Sequence, residues 1–312
     1  MKKILTILSL LSISLTNCYS SSYKHFNQEQ KIERTSILKH NEKLELSVIM
    51  TGYTSTPEFL IYQGGGLKEH TTSFSAIYIK HPKGDILFDT GLGTMAKEQQ
   101  QEMSLINRNL FKFKDLNPII KQLKENNHDI SNVKNIILSH MHWDHASGLK
   151  DFPNTNIFAD KNEFEFAITE DAKEPAFIKS QYSSIENQFK NLEFKKEKFL
   201  LFDEICDFYN DGSLILVKLD GHTKGSVGLF IKTQSNKILF FVGDLIWTVK
   251  QLKENKGKNV IASKMVDYSP EMIRESIKLI NAIKKYDNNI QILPAHDYNV
   301  LKKLAIYPKF QK

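Results

Sequence analysis

The chain has 312 residues, 41% of them hydrophobic, enough to bury one sizeable core. Its 42 basic and 36 acidic residues are interspersed. The net charge of +6 therefore comes without the concentrated Arg/Lys stripe and interleaved aromatics that nucleic-acid binding uses.

The first residues read as a leader and not as part of a fold. Met1-Lys2-Lys3 gives a positive start, and Ile4 to Leu15 is an apolar run shorter than the roughly 20 residues a membrane span needs. Residues 1–17 are thus expected to be a signal peptide. Leu15-Thr16-Asn17-Cys18 resembles a bacterial lipoprotein box, although Asn17 departs from the small Gly, Ala or Ser usual before the cysteine. A lipid anchor through Cys18 and an exported protein, periplasmic or cell-surface, are the matching expectations. Residues 18–43 are polar and Ser/Gln/Lys-rich, as a tether would be, and residues 44–312 carry no internal repeat or linker and read as one catalytic domain. If Cys18 is processed, Cys206 has no partner for a disulfide.

Within that domain, Leu44, Leu46, Val48 and Met50 alternate with polar residues, the pattern of an edge strand, and Phe74, Ala76 and Tyr78 alternate likewise. Pro82-Lys83-Gly84-Asp85 is a turn before Ile86-Leu87-Phe88, which runs into Asp89-Thr90-Gly91. A single-chain aspartic protease would need a second Asp-Thr-Gly, and none is present. Asn117 to Asn126 reads as a helix with Ile119, Ile120 and Leu123 on one face. Val133 to Leu138 is a buried-strand candidate that delivers Ser139-His140-Met141-His142-Trp143-Asp144-His145 to a loop. His140 and His142, two apart, point the same way if the segment stays extended, and Asp144 and His145 then turn the corner. Imidazole nitrogen and carboxylate oxygen are the donors borderline metals such as zinc take.

Lys161 to Leu201 follows, with helix-like amphipathic segments and the aromatics Phe164, Phe166, Phe177, Tyr182, Phe189 and Phe194. The charge run Lys195-Lys196-Glu197-Lys198 reads as a solvent face, and Cys206 as a small core residue outside any site. His222 closes the apolar stretch Leu214 to Leu219, Asp244 follows Ile238 to Val242 and Gly243, and His296 follows Ile290 to Ala295. Every candidate ligand thus comes at the C-terminal end of a strand candidate, where loops on a rigid scaffold assemble sites. Ser269 and Pro270 open a helix whose Ile273, Ile277, Ile280 and Ile283 form a core stripe.

His-x-His-x-Asp-His, a Gly-His, a Gly-Asp and a final His after an apolar strand resemble the metallo-β-lactamase superfamily, over nearly the whole chain past its N-terminal segment. The resemblance implies an α/β fold, the αββα sandwich of two mixed β-sheets flanked by helices. It implies two Zn2+ ions, one held by His140, His142 and His222, the other by Asp144, His145 and His296, with Asp244 bridging. It also implies that Asp89-Thr90-Gly91 supports the metal loop from behind. Two ions so placed lower the pKa of a shared water and polarise a carbonyl or phosphoryl oxygen, so no Ser or Cys nucleophile is needed. Asp144 and Asp244 are the candidate catalytic carboxylates, with Asp144 also a proton shuttle to the leaving group.

Departures narrow the family. No Cys lies near Asp244, unlike one zinc β-lactamase subclass, and His142 stands where flavodiiron enzymes carry Glu. The stretch after His296 is short for the glutathione-binding segment of glyoxalase II, and no RNA-gripping arm of the ribonuclease Z kind is found. The nearest resemblance is to N-acyl homoserine lactonases, which implies a small-molecule ester or lactone substrate. Those enzymes place a Tyr three residues after the bridging Asp; here Trp247 stands there, with a single N–H to donate. β-Lactam or phosphodiester hydrolysis is the alternative chemistry, and a non-catalytic metal-binding lipoprotein the alternative class.

Overall fold

The computed structural model describes residues 37–173 and 175–312. The leader, Cys18 and most of the expected tether therefore lie outside the described residues. Within the tether's expected end, residues 37–43 are instead docked on the domain: Leu38 is buried, and the Lys39 N–H donates to the Gly212 carbonyl at 2.8 Å.

Among the described residues, twelve strands form two six-stranded sheets. The first runs β1 (Glu45–Pro57), β2 (Glu69–Lys80), β3 (Asp85–Phe88), β4 (Val133–Ile137), β5 (Asn156–Ala159), β6 (Phe189–Asn191) in spatial order. The second orders β12 (Ile290–Leu293), β11 (Ile238–Phe241), β10 (Val227–Lys232), β9 (Ile215–Lys218), β8 (Phe202–Asp207) and β7 (Lys195–Phe199). Both are mixed. β1 to β3 pair antiparallel and β3 to β6 parallel, while the second sheet is antiparallel except for β11 with β12.

Among the described residues, ten α-helices connect or cover the strands: α1 (Glu58–Ile61), α2 (Ala96–Gln100), α3 (Leu105–Leu110), α4 (Ile119–Glu125), α5 (Trp143–Ala146), α6 (Lys161–Ala167), α7 (Val249–Glu254), α8 (Val260–Val266), α9 (Pro270–Tyr286) and α10 (Tyr298–Leu301). Side-chain alternation builds the layers. Leu46, Val48, Ile77, Ile79 and Phe88 face Leu216, Leu229, Ile231 and Phe241 between the sheets. Ile49, Tyr78, Leu87 and Ile136 turn outward onto Ile119 and Leu123 of α4. On the far side, Val217, Phe230, Phe240 and Ile292 pack on Ile273, Ile277, Ile280 and Ile283 of α9, which Ser269 caps by accepting from the Met272 N–H. This is the αββα sandwich.

Three readings are sharpened. β1 is an edge strand, but it is buried on both faces, and residues 305–311 cover its edge, with Leu46 and Gln311 exchanging backbone hydrogen bonds at 2.8 and 2.9 Å. The stretch 161–201 is not mainly helical. Among its described residues only α6 is an α-helix, followed by short 3-10 turns and strands β6 and β7. Its aromatics serve tertiary pairs that no single helix face provides: Phe164 stacks on Phe189 at 4.5 Å and Phe166 meets Phe177 edge-on. The charged run 195–198 is solvent-exposed as read, and it forms the outer strand β7, where charge discourages edge-to-edge pairing.

Candidate metal centre

All seven candidate ligands meet at one end of the sandwich, each after the C-terminal end of its strand. β4 from the first sheet supplies His140, His142, Asp144 and His145; β9, β11 and β12 from the second supply His222, Asp244 and His296. The parallel register of β11 and β12, Phe241 opposite Leu293, brings Asp244 beside His296. The Val227 N–H donates to the Ser139 carbonyl at 2.8 Å and ties the second sheet to the first sheet's ligand loop. Gly243 makes that approach possible. Its φ is +51°, and a Cβ there would meet Ser139 at 3.1 Å.

The ligand atoms fall into three buried groups: His140, His142 and His222; His140, His145 and Asp244; Asp144, His145 and His296. Within each, the atoms lie inside 4.8 Å of one another. Four imidazoles have their Nδ1 edge engaged from behind. His145 Nδ1 donates to Asp89 at 2.9 Å, His222 Nδ1 to Asp267 at 2.7 Å and His296 Nδ1 to the Ser73 carbonyl at 2.8 Å. His140 Nδ1 meets the Ser139 hydroxyl at 3.0 Å. These contacts fix the rings and leave Nε2 facing the centre, as metal-binding histidines are held.

The centre without a cation is frustrated, and that is the test of fit. His140 Nε2 and His222 Nε2 face each other at 3.2 Å, yet each Nδ1 edge is already engaged. His145 Nε2 lies 3.1 Å from Asp244 Oδ1, but the two are misaligned, and both atoms are buried without a hydrogen bond. Burial, then the neighbouring imidazoles, holds His140 well below its usual pKa, and burial takes His142 down to about 4, so these rings are neutral donors. Burial alone would lower His296, but Asp244 and Asp144 outweigh it and lift the ring to about 10; His145 is likewise lifted by Asp89, Asp244 and Asp144. Three carboxylates around two imidazoles that demand positive charge suit bound cations, and the nitrogen and oxygen donors fit a binuclear site.

Asp89-Thr90-Gly91 performs the supporting role. Asp89 has φ +63°, an uncommon conformation for a non-glycine residue, and it aims the carboxylate at the Ser139 N–H (2.7 Å), the Ser139 hydroxyl (2.8 Å) and His145. Thr90 donates its hydroxyl to the His145 carbonyl at 2.6 Å. Cys206 is buried between the sheets and belongs to none of the three groups, and burial pushes its thiol up to about 11.

Sequence reasoning missed three supports. Glu163 of α6, fully buried and pushed up to about 7 by burial, accepts from the Met141 N–H between two ligands and from the Gly225 N–H. Asp267 orients His222, and Lys258, whose side chain is wholly buried, donates to the same Asp267 oxygen at 2.7 Å. None carries a motif; each becomes visible only when α6 or α8 docks.

Above the ligands lies a pocket of about 190 Å3. His142, Asp144, His222, Asp244 and His296 form its floor, and Thr54, Thr72, Phe74, Leu60, Leu110, Trp247, Ile261 and Met265 stand in its walls and mouth. Trp247 donates its Nε1–H to Asp244 Oδ2 at 2.8 Å and meets His296 edge-on.

Comparison with known proteins agrees with this geometry. The chain is similar to the N-acyl homoserine lactonase AttM of Rhizobium radiobacter, 24% identical over 192 residues, 61% of this chain and 68% of that protein. It is also similar to an N-acyl homoserine lactonase of Bacillus thuringiensis, 26% identical over 233 residues, 73% and 82% of the two chains. A solved N-acyl homoserine lactone hydrolase, with the product N-hexanoyl-L-homoserine at its catalytic metal centre, shares the fold at a TM-score of 0.65 and 20% identity, covering 85% of this chain and 98% of that one. The family model of the metallo-beta-lactamase superfamily matches residues 74–296. Taking in strands of both sheets and all seven buried donors, that match establishes that the chain belongs to the metallo-beta-lactamase superfamily and is a metal-dependent hydrolase of its fold.

Proposed function

We propose that this hydrolase opens lactones of the N-acyl homoserine class, using two Zn2+ ions. The observation that carries the reading is the pocket itself: a floor of metal donors under walls that are mostly apolar, room for a small hydrolysable head with an acyl chain. The lactonase relatives support it. Zinc suits a set of imidazole and carboxylate donors without thiolate.

When bound, the ions would supply Lewis acidity and a nucleophile at neutral pH. His140, His142 and His222 would hold one, Asp144, His145 and His296 the other, and Asp244 would span both. The chain's own residues do the rest. Thr54 and Thr72, paired across β1 and β2, place hydroxyls in the wall for the substrate's polar atoms. Asp144, its Oδ2 3.2 Å from His296 Nε2 and open to the pocket, would take the proton released by the attacking water and pass it to the departing alkoxide. Trp247 already spends its one N–H on Asp244, so its contribution is to hold that carboxylate and wall the pocket, whereas the lactonases' Tyr offers a hydroxyl.

The deciding experiment assays zinc-loaded protein against acyl homoserine lactones of short and long chain, a cephalosporin and a bis-aryl phosphate. Lactone opening at the highest kcat/KM supports the reading; lactone rates at the buffer level beside turnover of either other class overturn it. We further propose that residues 1–17 are removed on export and that Cys18 becomes the lipidated N-terminus, from the apolar run Ile4 to Leu15 and the box before Cys18. A mature N-terminus at any residue other than Cys18 defeats the anchor.

A further inference from the structure

Large apolar side chains that remain exposed concentrate, among the described residues, around the pocket's mouth. α1 presents Phe59 (41% exposed) and Leu60, α3 presents Ile106 (74%) and Leu110, and α8 presents Val260 and Ile261 (68%). Ile106 and Leu110 stand one turn apart on the same side of α3. Leu60, Leu110 and Ile261 also line the pocket, so the three helices share its opening. Asn259 locks two of them together, donating its side-chain N–H to the Phe59 carbonyl at 2.9 Å and its backbone N–H to the Ile61 carbonyl at 3.1 Å. Single exposed apolar residues need no explanation, whereas a gathered patch marks an interaction surface.

Charge selects the partner. Lys264 on α8, Lys68, Lys112, Lys114 and Lys256 in the segments next to the three helices, and Lys253 on the neighbouring α7 are exposed, with no carboxylate partner among the described residues. Of the rim's acids, Glu58 is paired with Lys250, Glu69 and Glu254 accept from the Ser55 and Tyr62 hydroxyls, and Asp115 is exposed beside Lys114, so the basic residues outnumber the acidic ones. An apolar centre with basic surroundings is complementary to a surface that is anionic outside and apolar beneath. A second copy related by a two-fold axis would set the basic rim against itself. No helix among the described residues is long and apolar enough to cross a membrane.

We propose that the face formed by α1, α3 and α8 docks on an anionic lipid surface, with the pocket opening toward it. This is independent of which bond the enzyme cleaves. The test uses the full chain carrying Cys18→Ser, with an environment-sensitive fluorophore on Val260→Cys or, as the reference, on Lys278→Cys of the outer face of α9. Cys206 is buried and stays unlabelled. On mixed phosphatidylglycerol–phosphatidylcholine vesicles, the label at 260 should brighten and shift to the blue while the label at 278 does not respond. The signal should fall on phosphatidylcholine alone and in about 1 M salt, where charges are screened within roughly 3 Å. Adding Ile106→Asp should weaken vesicle affinity about tenfold, one 1.4 kcal/mol step, with the melting temperature unchanged because the residue is exposed. Silence at 260, an equal response at 278, or a response at 260 that grows with protein concentration in the absence of vesicles would overturn the proposal, the last in favour of self-association.

Discussion

The floor and the mouth of the pocket are built by opposite strategies. On the floor, ligands stand at the ends of paired strands, and four of the five imidazoles are engaged from behind by Asp89, Asp267, Ser139 or the Ser73 carbonyl. At the mouth, three helices of four to seven residues carry exposed apolar side chains, and hydrogen bonds from Asn259 to Phe59 and Ile61 tie α1 to α8. Helices that short do not hold themselves in water. Geometry that depends on tenths of an ångström sits on buried side chains held from two sides, whereas the exposed apolar surface is carried by short helices at the rim.

The strongest way to break that contrast is at the floor. Asp244→Asn removes the charge shared by His145, His296 and Trp247, and activity should fall roughly 10³-fold or more, with metal content dropping from two ions toward one. Metal by mass spectrometry beside turnover checks this, and far-ultraviolet circular dichroism should stay unchanged. Wild-type turnover in the variant would show that the floor does not act through this carboxylate.

Next comes Ile277→Ala, in the stripe between α9 and the second sheet, which should cost about 2–5 kcal/mol in denaturant unfolding while two metals still bind. A loss of metal at unchanged stability would mean that α9 supports the site and not only the core.

Asp220 sharpens the picture of how charge is held beside the floor. Burial first, and then Asp160, pushes its carboxyl up to about 7, so the folded chain holds a proton that the unfolded chain has lost above about pH 4. Its contribution to stability is therefore full below about pH 4 and is lost as pH rises through about 7. Asp220→Asn should match the wild type in unfolding free energy at pH 4 and exceed it at pH 8, by on the order of 2–3 kcal/mol. An equal pH profile for both proteins would place the titration elsewhere.

Asp89→Asn keeps the shape but weakens the hold on His145, and metal affinity should drop about 10–100-fold in a chelator competition. The smallest effect belongs to the mouth. Leu105→Ser, 70% exposed, should move stability by no more than about 0.5 kcal/mol and leave metal content alone; a larger loss would mean that the mouth is as tightly packed as the floor.

Much of the floor was legible in the chain because ligand chemistry is local. Three imidazoles and a carboxylate between His140 and His145, each apolar run ending in His222, Asp244 or His296, and the Asp-Thr-Gly turn all lie in short segments that a fixed strand period carries to one end of the sheets. The isoleucine stripe of α9 was equally plain, since a 3.6-residue period needs no partner to be recognised. Only the tertiary structure decided what faces those segments. Asp267 and Lys258 reach His222 across α8, Glu163 reaches Met141 from α6, and the aromatics of 161–201 pair with residues that no helical period predicts. The reason is physical: a ligand is chosen by its own donor atom, whereas its support is chosen by whatever polar group the packing leaves within about 3 Å, and that neighbour is set by the docking of distant elements and not by spacing along the chain.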